Sequence, residues 1–291
     1  LMDDLPLERD VAKIIEIYRN EGFLDVRAAR DVRLSPNGKE AIVTFLIEEG
    51  PRYTLRRGLV AGPEGRDGAG LEVFDPEQIR GLFPLKPGDI YRESQIENSV
   101  QAVRQAYLKI GYVDARVARN ELRAIDSPQV DVLIRISEGE RFRAGLVLVQ
   151  GNELTQSKVI RRRVDISPGD WLDGSAAEET ERRLRASGLF ELNPAAGDPP
   201  KVTILPESDT NPGYRDVLVE VQETNTGSLS FGAAIDSDTG LIGAIRLDQR
   251  NFDLFDTPDS FDELIKGRAF RGAGQNFSLA LQPGIDVSTY S

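Results

Sequence analysis

Repeated aspartates, paired glutamates and one run of arginines are the residues here with types and spacing that could do chemistry. Asp25 and Asp114 each follow a glycine by three residues, after Gly22 and Gly111. Such a carboxylate is a candidate acid or base. It is also the side chain that ties a helix-to-strand turn by accepting nearby backbone N–H groups, and that structural reading is the one adopted. Asp89 and Asp170, each after Pro-Gly, are read as turn residues in the same way. Glu48-Glu49 and Glu178-Glu179 have the residue types of a glycosidase pair. Sequence neighbours diverge on a strand and stand ~100° apart on a helix, so neither pair converges on one bond. Arg161-Arg162-Arg163 has anionic lipid headgroups or an acidic partner surface as targets. As cations at a helix end they also complement the macrodipole, which is the preferred reading. The glycines from Gly65 to Gly70 lack the Lys-Ser/Thr and the strand–loop–helix setting of a phosphate loop.

The chain has 291 residues with no cysteine and no histidine. That removes disulfide frameworks, thiolate nucleophiles, Cys/His zinc sites and imidazole acid–base chemistry together. No enzyme activity, metal or cofactor is expected. Absence of cysteine also fits an oxidising compartment. The formal charge is −12, and phosphate-backbone binding needs clustered cations, so no nucleic acid is expected as a partner. With 40% hydrophobic residues the chain can pack cores, and its length allows two or three domains of about 100–150 residues. No apolar run approaches the ~20 residues of a spanning helix, and no signal peptide is visible. Leu1 stands inside what reads as an element, so a processed or trimmed chain is expected.

Internal repeats organise these elements. Tyr18-Arg-Asn-Glu-Gly22-Phe23-Leu24-Asp25 returns as Tyr107-Leu-Lys-Ile-Gly111-Tyr112-Val113-Asp114, 89 residues later. Leu184-Arg-Ala-Ser-Gly188-Leu189-Phe190 is a looser third copy. Ile47-Glu48-Glu49-Gly50 returns as Ile136-Ser137-Glu138-Gly139, and Lys86-Pro87-Gly88-Asp89-Ile90-Tyr91 as Ser167-Pro168-Gly169-Asp170-Trp171. The unit is about eighty residues, too long for a solenoid repeat and right for a small domain. In the middle copy, Tyr53–Val60 reads as a strand. Asp75-Pro76-Glu77-Gln78 starts a short helix, and Ser94-Gln-Ile-Glu97 is a capping box. Ile96, Val100, Val103, Tyr107 and Ile110 follow helical spacing up to Gly111, placed to stop that helix. Tyr112–Arg123 and Val130–Ile136 read as strands, giving the order β-α-α-β-β. The third copy repeats it: a strand over Gly145–Val149, a short helix capped by Thr155, and a capping box at Ser175-Ala-Ala-Glu178. Strands over Lys201–Leu205 and Val217–Val221 close it. The first copy shows only its second helix and last two strands, turning at Pro36-Asn37-Gly38. Tyr91 and Trp171 are expected to anchor helix packing.

From residue 227 onward the pattern alternates. Leu229, Phe231 and Ile235, then Leu241, Ile245 and Leu247, share one face across a hairpin turn at Asp238-Thr239-Gly240. Phe277, Leu279 and Leu281 continue it. Two of the strands come near the ~9–11 residues of a tilted membrane-spanning strand. On pattern alone, a transmembrane barrel and an ordinary amphipathic sheet stand level.

The β-α-α-β-β unit with Tyr-x-x-x-Gly-Phe/Tyr-x-Asp resembles the polypeptide-transport-associated (POTRA) domain. Ser187-Gly188-Leu189-Phe190, with Val219-Glu-Val-Gln-Glu-Thr-Asn-Thr-Gly-Ser228, looks like the last such domain running into a barrel, as in outer-membrane β-barrel assembly factors of the BamA type. The resemblance implies an α+β fold of tandem POTRA domains followed by the first antiparallel strands of a transmembrane β-barrel. A partial domain is expected over 1–50, complete ones over 51–139 and 140–226, and a truncated barrel start over 227–291. It implies an outer membrane location in a Gram-negative-type bacterium, with residues 1–226 in the periplasm. The function implied is binding unfolded β-barrel clients by β-augmentation and passing them to the barrel for insertion. Expected partners are those clients, accessory assembly lipoproteins and, through the barrel, outer-membrane lipid. In POTRA domains the second strand of the unit lies at an edge. Leu24, Val26 and Val32, with Val113, Ala115, Val117 and Leu122, are therefore candidate client-binding positions. Leu229, Phe231, Ile235, Leu241, Ile245 and Leu247 are candidate lipid-facing ones. In the third copy, Pro199-Pro200 and Pro206 flank the matching strand and would blunt pairing. A polypeptide secretion transporter of the same superfamily, or a structural periplasmic scaffold, is the alternative. Phe252–Gly274, a long connection where barrel turns are normally short, departs from the pattern, with a brief helix conceivable over Pro258–Lys266.

Overall fold

Ile96, Val100, Val103 and Tyr107 recur at helical spacing and form the buried stripe of α3 (Glu93–Lys109). Together with α2 (Pro76–Arg80) they cover one face of a sheet ordered β3-β5-β4. Strand β3 (Thr54–Ala61) runs parallel to β5 (Gln129–Ser137), and β4 (Arg116–Arg123) runs antiparallel to it. Val130, Val132, Ile134 and Ile136 alternate along β5 toward the helices and are almost wholly buried, as period-two geometry requires. This is the expected β-α-α-β-β order.

The computed structural model describes residues 4–35, 40–195, 197–236, 240–260, 263, 267–282 and 289–290. The expected turns at Pro36-Asn37-Gly38 and Asp238-Thr239, and most of the brief helix over 258–266, lie outside them. The chain divides into two units, Leu1–Leu108 with Tyr112–Glu140 and Lys109–Gly111 with Arg141–Ser291. In the first unit, α1 (Asp4–Asn20) precedes an antiparallel pair of β1 (Arg27–Leu34) and β2 (Ala41–Glu48). In the second, α4 (Ser157–Arg161) and α5 (Gly174–Ala186) pack on a sheet ordered β6-β8-β7. Its strands are β6 (Arg143–Gln150), β7 (Lys201–Ile204) and β8 (Tyr214–Glu220). A four-stranded antiparallel sheet follows, in the order β12-β11-β10-β9. It consists of β9 (Gly227–Asp236), β10 (Gly240–Phe252), β11 (Gln275–Gln282) and β12 (Thr289–Tyr290).

Asp75 starts α2 through a full capping box with Gln78, as the sequence reads. The other helix starts differ. Ser94 N–H donates to Asn20 Oδ1 at 2.8 Å, so the group capping α3 comes from the end of α1. Asp173, not Ser175, caps α5, because its carboxylate accepts from both Ser175 and Ala176 N–H. Gln156 occupies the cap position of α4 without a side-chain capping bond, and the Thr155 hydroxyl is engaged elsewhere. At α3 and α5 a stronger or nearer acceptor displaces the one that spacing suggests.

The sequence repeat is also a repeat of contacts. Tyr18 OH donates to Glu49 Oε1 at 3.2 Å, and Tyr107 OH to Glu138 Oε1 at 2.7 Å. Tyr53 N–H donates to Gly22 C=O at 2.8 Å, and Phe142 N–H to Gly111 C=O at 2.9 Å. Arg52 Nε reaches Glu21 C=O at 2.7 Å, and Arg141 Nε reaches Ile110 C=O at 2.6 Å. Gly22 and Gly111 adopt φ of 96° and 101°. A Cβ on Gly111 would stand 2.9 Å from Phe142 O. The position needs glycine for its backbone angle and for the close approach. Gly111→Val is therefore expected to cost on the order of 1–3 kcal/mol in urea or thermal unfolding. An unchanged midpoint would mean that the turn relaxes without strain.

Candidate functional site

Along an antiparallel pair, residues alternate between exchanging both main-chain bonds with the partner strand and turning both away. Ala124 N–H donates to Gln129 C=O at 2.9 Å, which sets the parity of the β4–β5 ladder. Val117, Arg119, Glu121 and Arg123 consequently turn their N–H and C=O groups to the open margin of the sheet. In the first pair, Ser35 N–H donates to Glu40 C=O, so Ala28, Arg30, Val32 and Leu34 of β1 do the same. The third sheet differs. Leu205 N–H donates to Asp216 C=O, which turns Val202 outward, but Val202 N–H donates to Glu181 Oε2 of α5 at 3.3 Å. Only four residues long and flanked by Pro199, Pro200 and Pro206, β7 offers a short and partly covered margin.

Side chains hold the β4 margin in place. Arg119 donates to Glu93 Oε1 at 3.0 Å and lies 3.4 Å from Glu121 Oε1, which also accepts Tyr91 OH at 2.5 Å. Burial first, and the Glu121 bond second, push the Tyr91 phenol far above its usual range. Tyr91 thus anchors the core as expected. Trp171, its counterpart, is instead 42% exposed, with the Arg141 and Arg143 guanidinium carbons 3.6 and 4.2 Å from its ring centroid. At the far end of β4, Asp25 accepts Tyr53 OH at 2.8 Å and a bond from Arg123. Its role is structural, but its donors are side chains rather than the backbone N–H groups expected.

The candidate edge residues divide. Val32, Val117 and Leu122 lie on β1 and β4, with Val32 and Leu122 exposed. Leu24, Val26, Val113 and Ala115 precede those strands, which begin at Arg27 and Arg116. Of these, Leu24, Val26 and Ala115 are buried. Leu24 and Ala115 belong to the core under β3, β4 and β5. Repeat spacing could have marked Arg30 and Arg119, which stand in matching outward positions. Nothing in local spacing marks Glu181 as the cover of Val202.

In each carboxylate pair one member is tied to neighbouring side chains. Glu49 accepts from Tyr18, and Glu179 is tied to Arg182 and Arg183, which hold its carboxyl below the usual range. Arg163 donates to Val159 C=O at 2.6 Å, as a cation at a helix end does. Asp131, buried on β5, takes bonds from both Arg56 and Arg57, whose side chains share a face through the irregular register between Leu55 and Arg57.

On the four-stranded sheet, Leu229 pairs with Leu247, Phe231 with Ile245 and Ile235 with Leu241. The side chains of Ile235 and Leu241 lie outside the described residues. The other four are exposed, Phe231 to 73%, and Leu279 extends their face onto β11. Where this sheet meets α4 the contacts become polar and buried. Asn251 Nδ2 donates to Thr155 Oγ1 at 2.9 Å, while Asn251 Oδ1 accepts Gly274 N–H at the same distance. Gln156 Nε2 donates to Asp253 Oδ2 at 2.6 Å, and Arg271 Nη2 to Thr224 C=O at 3.0 Å. Phe252 stacks on Phe277, ring centroids 4.7 Å apart.

Two-helix, mixed three-stranded modules repeated in tandem define a class of modular α+β proteins with open sheet margins. The chain belongs to the POTRA family, described as a surface antigen variable number repeat, which matches residues 68–139 and 142–224. It is similar to the outer membrane protein assembly factor BamA of Neisseria meningitidis serogroup B, 24% identical over 258 residues, or 87% of this chain and 30% of that one. BamA of Nitratidesulfovibrio vulgaris is 29% identical over 239 residues, 80% of this chain and 27% of the relative. The chain thus spans about three-tenths of the length of these relatives. Among solved structures, Haemophilus influenzae BamA POTRA3-5 aligns with a TM-score of 0.60 at 22% identity, covering 76% of this chain and 82% of that one. Haemophilus ducreyi BamA lacking POTRA domains 1-3 gives 0.61 at 21% identity, over 80% and 37%.

One test bears on the electrostatics of the middle sheet. Hydrogen bonds from Arg56 and Arg57 hold the Asp131 carboxyl well below its usual range. A depressed folded pKa adds stability above the unfolded value of about 4 and loses it as pH falls. Asp131→Asn is expected to lower stability at neutral pH and to flatten its decline below about pH 4, followed by urea unfolding across pH. A parallel decline in both proteins would exclude Asp131 as the titrating group.

Proposed function

We propose that this chain is the receptor part of an outer-membrane protein assembly factor, taking unfolded β-barrel clients as added strands and passing them toward a membrane barrel. Residues 1–50, 51–139 and 140–226 would be successive periplasmic modules, and 227–291 the first strands of the barrel. Accessory lipoproteins and outer-membrane lipid would be further partners. The carrying observation is the β4 margin, where four successive outward residues present N–H and C=O groups. Main-chain pairing there gives affinity that depends little on client sequence, which suits a receptor for many clients. The similarity to BamA supports the same reading, and the exposed apolar face of Leu229, Phe231, Ile245 and Leu247 supports the barrel assignment.

Val117→Pro removes an outward N–H without breaking the ladder to β5. It is expected to weaken binding of an extended strand peptide, such as one with the sequence of residues 275–282, far more than it lowers the melting temperature. A folded variant that binds like the parent would move recognition away from β4. Deleting residues 227–291 is expected to make the remaining chain more monomeric by light scattering. It should also lower the melting temperature of the third sheet, since Thr155 loses Asn251. Undiminished self-association would show that the apolar face is not the contact.

A further inference from the structure

The sheet of β3, β5 and β4 has a second margin, along β3, most of which the chain covers itself. Leu55 N–H donates to Asp89 C=O at 2.9 Å, and Leu55 C=O accepts Gly88 N–H at 2.7 Å. Further along, Val60 N–H donates to Asp67 Oδ1 at 3.0 Å, and Val60 C=O accepts Gly68 N–H at 2.8 Å. Alternation back from Val60 turns the N–H and C=O of Gly58 to this same outer side. The register shift between Leu55 and Arg57 explains why Leu55 and Gly58 both face out. Gly58 is the gap in an otherwise covered margin.

A cavity of about 440 Å³ opens beside that gap. Its walls include Leu55, Val60, Phe83, Leu85, Ile96 and Ile134, with Arg80 and Lys86 at the rim. A Cβ on Gly58 would meet no heavy atom within 4 Å, and the backbone there is outside the left-handed region. The residue is therefore not required by the chain's path. What it supplies is space. The third sheet provides the filled version of this site. Gly58 stands opposite Val132 on β5, and Val147 stands opposite Val217 at the matching place on β8. Val147 packs against its own core.

We propose that this pocket is a second recognition site for an extended, uncharged apolar segment, whose main chain pairs with Gly58 while one large aromatic side chain enters between β3 and α2. The volume falls in the range of ligand pockets, and the walls are mainly apolar with few polar groups at the mouth. Arg80 is already tied to Asp67 and Glu77, which leaves the flexible Lys86 as the remaining cation of the lining, so the walls call mainly for an apolar occupant. The proposal rests on the reading of this chain as a receiver of unfolded strands. It adds a preference for aromatic side chains, which main-chain pairing at β4 cannot supply.

The test compares two peptides, one with the sequence of residues 275–282 and the other with its Phe277 replaced by alanine, on the full 291-residue chain. Gly58→Val should fold with an unchanged or higher melting temperature, because valine favours strands and enters open space. It should weaken the phenylalanine peptide by about tenfold or more, to the level of the alanine peptide. Gly58→Ala, which adds one carbon, should give an intermediate loss and serves if the valine variant does not fold. Equal affinity of the phenylalanine peptide for the parent and for folded Gly58 variants overturns the proposal. Loss with Val117→Pro but not with Gly58→Val overturns it while leaving the β4 reading intact. Loss with Gly58→Val but not with Val117→Pro supports this site and removes the other. Failure of both peptides to bind the parent counts against both.

Discussion

A strand at the margin of a sheet must turn every second peptide group away from its neighbour, and each such group needs a partner or water. Much of this chain's organisation answers that constraint. Along β3 the turn at Gly88 and Asp89 and the loop at Asp67 and Gly68 take up the outward groups. Along β7 a carboxylate from α5 reaches Val202, and the strand is short. Along β4 the chain instead leaves four alternate residues turned outward and builds a firm side-chain frame around them. Arg119, Glu93, Glu121 and Tyr91 form that frame, and Asp25 ties its far end to Tyr53 and Arg123. A margin framed by side chains differs physically from one that is merely frayed, because pairing there would have less backbone to order.

Bonds made by the end of α1 and its following turn explain why the first sheet pair and the middle sheet belong to one unit. Tyr53 N–H on the Gly22 carbonyl, Arg52 on the Glu21 carbonyl and Asn20 on the first turn of α3 all join α1 and its following turn to the next layer. Leu24 contributes directly to that layer's core. The Tyr53 and Arg52 bonds recur at Phe142 and Arg141, so the repeat preserves these contacts as well as a fold.

The elements were largely legible in the sequence, because helical and strand periodicity, Pro-Gly turns and the repeated glycines each reflect local physics. Ile96, Val100, Val103 and Tyr107 could be assigned to a buried stripe without any tertiary knowledge. The caps were less legible. Ser94 looks like the start of a capping box, yet the acceptor is Asn20, 74 residues earlier. The candidate edge positions were taken from analogy and begin ahead of the strands, which start at Arg27 and Arg116. Leu24 and Ala115 are apolar because they close the core, and the strand proper starts beyond them. Parity along β3 was not legible, since one bulge near Arg56 reverses which residues face out. Nor was the pocket, because a glycine in a strand shows only that something is missing there.

The connection between β10 and β11 looked like an interruption of a regular sheet. In the fold it returns to α4, where Asn251, Asp253 and Gly274 meet Thr155 and Gln156 in a buried, largely satisfied set of hydrogen bonds. Sliding one side past the other would break several of these bonds at once, and those of Thr155, Asn251 and Asp253 are shielded from water. Mechanically the contact behaves as a welded bracket. Force applied to the base of β10 is delivered to α4 and the β6-β8-β7 layer as a tilt of the whole piece, and compliance must come from elsewhere in the chain.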